Sequence, residues 1–169
     1  EIKKLKFKCI EVSKYTDSPE ILQGRVKTLH PKIHAGILNK RDNKSHYQDL
    51  LKNNFKNIDL VIVNFYPFEE TLKKTSNNKK IIENIDIGGP TMVRAAAKNY
   101  NDVTVITSNK QYKELINEMT KYKGSTSNDF RKKMSQIAFT ETAYYDAIIS
   151  NYFNKITKNY FPQKKIIYG

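Results

Sequence analysis

Short apolar runs alternate along the chain with longer stretches in which apolar residues recur at helical spacing, the pattern of an α/β fold with a mostly parallel sheet. Residues 60–65 open with four consecutive apolar side chains, Leu60 to Val63, as a strand covered on both faces requires. Segments 7–12 and 103–107 read the same way, giving three expected strands. Helices are predicted over 42–55, 69–84, 90–99, 109–122 and 128–156. Ser108 or Asn109 can cap the fourth, while the polar stretch 75–80 reads as an exposed loop or frayed middle within the second. The last helix carries Phe130, Met134, Ile137, Ala138, Tyr145, Ile148, Ile149, Tyr152 and Phe153 in one stripe, which suits a core or dimer interface better than a ligand pocket.

Composition narrows this picture. A chain of 169 residues with 38% hydrophobic side chains and few Gly or Pro can bury one sizeable core, which excludes a collagenous or wholly disordered chain. No apolar run approaches the roughly 20 residues of a membrane span, and none near the start resembles a signal peptide. Neither a membrane nor secretion is expected, and a cytoplasmic location fits the single cysteine, Cys9, read as a small buried core residue. The net charge of +13 invites a nucleic-acid reading. Only Arg25, Arg41, Arg94 and Arg131 are arginines, however, leaving 26 of the 30 cationic residues as scattered lysines. A solvated lysine surface with no nucleic-acid partner is the expectation. Because the chain starts at Glu1 and stops at Tyr168-Gly169, just after a possible strand begins, it reads as a fragment.

Three segments could carry chemistry. In the loop-like stretch from Gln23 to Gly36, Arg25, Lys27 and Thr28 lie within four residues and can together hold a phosphate, although an ordinary basic loop would look the same. His30 and His34 have a zinc-pair spacing, but Pro31 between them and the lack of an adjacent Glu argue against a metal. Asn64 and Tyr66 follow the apolar strand, where ligands bind in open parallel sheets; either could instead satisfy loop backbone. Lastly, Gly88-Gly89-Pro90 forms a turn whose backbone can approach a ligand, with Pro90 at a helix start. Arg94 and Lys98 share one face of that helix, and Ala95, Ala96 and Ala97 favour close packing; a lysine so packed needs an anionic partner, for which Asp86 is the candidate.

Four ordered blocks then carry a resemblance over nearly the whole chain: Gly24-Arg25-Val26-Lys27-Thr28-Leu29-His30-Pro31 with His34-Ala35-Gly36; Asn64-Phe65-Tyr66-Pro67-Phe68; Ile85-Asp86-Ile87-Gly88-Gly89-Pro90 through Arg94-Ala95-Ala96-Ala97-Lys98-Asn99; and Ala138-Phe139-Thr140-Glu141-Thr142-Ala143-Tyr144-Tyr145-Asp146. They resemble the IMP cyclohydrolase domain of the bifunctional purine biosynthesis family, which also carries an AICAR transformylase domain. The resemblance implies a three-layer α/β/α, methylglyoxal-synthase-like fold. It also implies closure of 5-formamidoimidazole-4-carboxamide ribotide (FAICAR) to IMP with loss of water, the last step of de novo purine biosynthesis. No cofactor or metal is implied for this step; 10-formyltetrahydrofolate would serve the transformylase domain expected beyond residue 169.

On the same resemblance, Arg25, Val26, Lys27 and Thr28 would meet the nucleotide, Val63, Asn64, Asp86 and Ile87 would line its base side, and Tyr66 would border the pocket. Lys98 would be the proton donor and acceptor, oriented by Asp86, with Lys27 the alternative; the full-length protein would be a homodimer. Phe65 stands where the family often has Leu, and Glu141 where it often has His. Nothing matches the family's opening strand, helix and Ser-Thr-Gly-Gly-Thr phosphate loop, so residues 1–169 are expected to be one N-terminally truncated domain. A lyase of the methylglyoxal-synthase type shares the fold, but the Ile-Asp-Ile-Gly-Gly-Pro and Arg-Ala-Ala-Ala-Lys-Asn blocks resemble the cyclohydrolase. A catalytically inert fragment with an assembly role is the other reading.

Overall fold

The computed structural model describes residues 2–157. Two apolar runs form its sheet: β1 (Leu60–Ile62) and β2 (Thr104–Ile106) pair in parallel, with Val61 opposite Val105. Thr104 N donates to Asp59 O and Val63 N to Ile106 O, each at 2.9 Å. All three residues of β2 are buried, and because successive side chains point to opposite faces, both faces of β2 are covered. β1 is less enclosed: Val61 is buried while Ile62 is 45% exposed. Among the described residues the sheet has these two strands, so the chain is α/β with a small parallel sheet and mostly helical mass.

Helices supply the rest. α1 spans Val12–Thr16, α2 Pro31–Leu38, α3 Lys44–Lys52, α4 Phe68–Lys74, α5 Asn78–Glu83, α6 Gly88–Lys98, α7 Tyr112–Lys121 and α8 Asn128–Thr157. α6 packs on both strands, on α2 and on α8. Its Val93, Ala96 and Ala97 are almost wholly buried, and the small alanines let α8 approach closely enough for Ser135 Oγ to donate to Ala97 O at 2.7 Å. At the end of α6, the buried Asn99 side chain donates to Ile37 O (2.8 Å) and Asn39 O (2.9 Å), satisfying carbonyls at the end of α2 that water cannot reach. A second apolar cluster joins Phe68, Ile81, Tyr145 and Tyr152 beneath α4, α5 and α8.

The expected strand over 7–12 does not form. Residues 7–11 have no ladder partner, Phe7 and Ile10 are 67% and 60% exposed, and Val12 opens α1. An apolar run becomes a strand only when a neighbour pairs with its backbone, and among the described residues neither β1 nor β2 does so with residues 7–11. Cys9, expected in the core, is exposed for the same reason. The predicted helix 69–84 breaks into α4 and α5 where Asn77 caps the second piece, its side chain accepting from Lys80 N at 3.1 Å. The loop-like segment from Gln23 to Gly36 contains the start of α2: Pro31 sits at the first helical turn and His30 is the N-cap, Nδ1 accepting from Lys32 N at 3.1 Å.

Candidate functional site

The connection from β1 through α6 to the parallel β2 must bring the chain back across the sheet. The N-terminus of α6 therefore lies at the edge where β1 ends, and Lys98, its last residue, at the opposite edge. Most of the candidate residues gather at the first edge.

The phosphate-type segment begins with a tight turn. Ile21 and Val26 form an antiparallel bridge (3.3 and 3.4 Å), and between them Leu22 and Gln23 hold positive φ of 53° and 57°. Two non-glycine residues in this region store strain of about 1 kcal/mol or more each, so the surrounding contacts must enforce the turn. It presents Arg25 and Lys27 outward. Arg25 Nε bonds Glu83 Oε1 at 3.2 Å, and Lys27 pairs with Glu20, which holds the lysine's pKa above its ordinary value. Val26 is half-buried, its backbone committed to the bridge.

Two glycines bring this segment onto α6. A Cβ on Gly88 would stand 2.5 Å from Thr28 Oγ1, and one on Gly89 would collide with the Asp86 carboxylate. Their absence lets the Thr28 hydroxyl and the Asp86 side chain approach the helix N-terminus, where Asp86 Oδ1 accepts from Gly89 N at 2.8 Å. Val63 is half-buried, while Asn64, Tyr66 (56%) and Ile87 (58%) are exposed along the same edge. The site is thus open surface. Two concave regions lie elsewhere, one lined by Asp59, Asp102, Thr104 and Arg131, the other by Leu72, Ile81 and Ile148.

Lys98 is not brought to this group. It is exposed, and α6 rises about 1.5 Å per residue, so its 11 residues hold Lys98 roughly 15 Å from Gly88. The expected Asp86–Lys98 pair is not formed; Asp86 caps α6 instead. His34 is half-buried against the Thr28 carbonyl, and burial lowers its pKa; its Nε2 finds no hydrogen-bond partner. Among the described residues no cluster of three or more His, Cys, Asp or Glu side chains could hold a metal ion. Glu141 is exposed on α8.

One residue of the site escaped the sequence reading. Tyr145 of α8 is buried, its ring 5.2 Å from Phe65 and 6.2 Å from Phe68 between centroids. Its hydroxyl accepts from Asp86 N at 2.8 Å and donates to Asn84 O at 3.3 Å. The signal was a tyrosine in an apolar stripe, since a buried phenol needs a partner that a phenylalanine does not.

Comparison with known proteins gives a consistent result. Residues 1–91 match the model of the MGS-like domain, and residues 96–168 that of the AICARFT/IMPCHase bienzyme. The bifunctional purine biosynthesis protein PurH of Prochlorococcus marinus (strain MIT 9515) is 50% identical over 150 residues, covering 89% of this chain and 29% of the relative. PurH of strain NATL2A is 56% identical over 142 residues (83% and 27%), and that of Bradyrhizobium diazoefficiens 48% over 149 (88% and 28%). The chain spans less than a third of the length of these relatives. The crystal structure of ForH superposes with a TM-score of 0.72 at 26% identity, covering 90% of this chain and 79% of that one.

Proposed function

We propose, from the premise that this chain belongs to the MGS-like domain family, that it is the IMP cyclohydrolase portion of a bifunctional purine biosynthesis protein and closes FAICAR to IMP with loss of water. The observation that carries this reading is the approach of Thr28 and Asp86 to the N-terminus of α6, on a chain half identical to PurH proteins.

The chemistry follows from those groups. Arg25 and Thr28 bind the ribotide phosphate. The carboxylates of Glu83 and Glu20 engage Arg25 and Lys27 in exposed pairs, which contribute little and yield to an incoming nucleotide. Val63, Asn64 and Ile87 flank the imidazole. Ring closure needs the carboxamide nitrogen, a poor nucleophile, to attack the formyl carbon, and fixing both groups on one surface removes much of the entropic barrier. As the N–C bond forms, negative charge develops on the formyl oxygen; the Lys27 ammonium stabilises it and supplies a proton. The carboxamide nitrogen gives up one proton on attack and the formamido nitrogen gives up its own as the hydroxyl leaves, Asp86 serving as acceptor through Oδ2, which takes no hydrogen bond among the described residues. Expulsion of the hydroxyl as water completes the ring. No redox cofactor is required, because the condensation changes no oxidation state.

Of the two candidate lysines we favour Lys27, since Lys98 stands at the far end of α6. In the full-length protein, Lys27→Ala should lower the rate of IMP formation, followed by absorbance, by about 10²- to 10⁴-fold, whereas Lys98→Ala should retain turnover within about tenfold. The opposite order would return the proton step to Lys98, and no IMP formation by the unmodified protein would overturn the cyclohydrolase reading itself.

A further inference from the structure

We propose that Tyr145 is a positioning residue for the Asp86 carboxylate; the kinetic consequence rests on the cyclohydrolase reading, the geometry does not. The 84–86 segment has no regular structure, yet it must hold the carboxylate at the start of α6. The Tyr145 hydroxyl clasps it at two points, accepting from Asp86 N and donating to Asn84 O. A donor and an acceptor two residues apart on one hydroxyl fix the orientation of the peptides between them, and so the direction in which the Asp86 side chain leaves the backbone. The phenol is itself immobile. Phe65 and Phe68 pack against its ring, and α8, which carries it, is anchored on α6 through Ser135 and Ala97. Asp86 and the Gly-Gly turn are thus held from two sides, by α6 through Gly89 N and by α8 through Tyr145. The neighbouring Tyr144 takes no part in this clasp, since it is exposed and its hydroxyl donates to Glu69 Oε2 at 3.1 Å.

Tyr145→Phe in the full-length protein tests this, because it keeps the ring between Phe65 and Phe68 and removes only the hydroxyl. Exchange of the Asp86 amide hydrogen should accelerate at least about tenfold while that of Ala138, on the same helix, is unchanged. The turnover number for IMP formation should fall about tenfold with KM held within about twofold, and Tyr145→Phe combined with Asp86→Asn should be no slower than Asp86→Asn alone. Tyr152→Phe is the control: it deletes a buried hydroxyl of α8 that donates to Asn78 Oδ1 at 3.0 Å, remote from Asp86, and should leave turnover unaltered. Unchanged Asp86 exchange, additive losses in the double variant, or an equal loss in Tyr152→Phe would each overturn the proposal. If the unmodified protein forms no IMP, the functional reading fails and amide exchange alone decides the role of Tyr145.

Discussion

At Gly88 a hydroxyl occupies the space where a side chain would begin. Because the Thr28 Oγ1 that sits there belongs to the segment proposed to bind the phosphate, Gly88→Ala should push it off the helix N-terminus without disturbing the core. Affinity for IMP, measured by calorimetry on the full-length protein, should fall about tenfold, or about 1.4 kcal/mol, with little change in melting temperature; unaltered affinity would separate Thr28 from the nucleotide. Residue chemistry singled out Arg25, Lys27, Thr28, Tyr66 and Asp86, of which Thr28 and Asp86 lie against the glycines that open α6. It did not yield the Asp86 partner. Opposite charge suggested Lys98, but charge carries no distance, and the rise of α6 separates the two while a backbone amide of Gly89 takes the carboxylate.

Among the elements, those whose signals are local were legible in the sequence. Ser108 caps the 3₁₀ turn Asn109–Gln111 that leads into α7: its hydroxyl accepts from Lys110 N at 3.2 Å, and Gln111 Oε1 accepts from Ser108 N at 3.0 Å. Ser108→Ala should therefore lower stability by about 1 kcal/mol in urea unfolding, and a loss below about 0.3 kcal/mol would mean that packing, not the cap, starts this helix. α3, α6, α7 and α8 lie where apolar spacing predicts them. The failures concern what no local pattern encodes. Residues 7–11 have strand-like composition but no described neighbour to bond, and α2 was missed because Pro31 reads as a helix breaker between His30 and His34, whereas it opens the helix with His30 as its cap.

For the whole molecule, charge and topology set separate behaviours. The net charge of +13 is carried by dispersed lysines. Binding to duplex DNA should accordingly be sequence-independent and no tighter than about 1 μM at physiological salt, weakening steeply as salt rises; selective, submicromolar binding in a fluorescence titration would show a built nucleic-acid surface. Topology governs how the chain reaches this state. The partners Leu60 and Thr104 are 44 positions apart, and a parallel ladder yields no bond until the whole intervening crossover has closed. Closing so long a loop is dearer by about 2 kcal/mol than closing a four-residue turn, and that entropy is spent before any strand contact compensates it. Contacts between α6 and β2 close a far shorter loop, since Ala97 and Val103 are six positions apart, and are expected before the strands pair. The same small side chains that let α6 lie close to its neighbours would then also set a clock: with that contact formed early, enlarging Ala97 is expected to slow refolding more than it hastens unfolding.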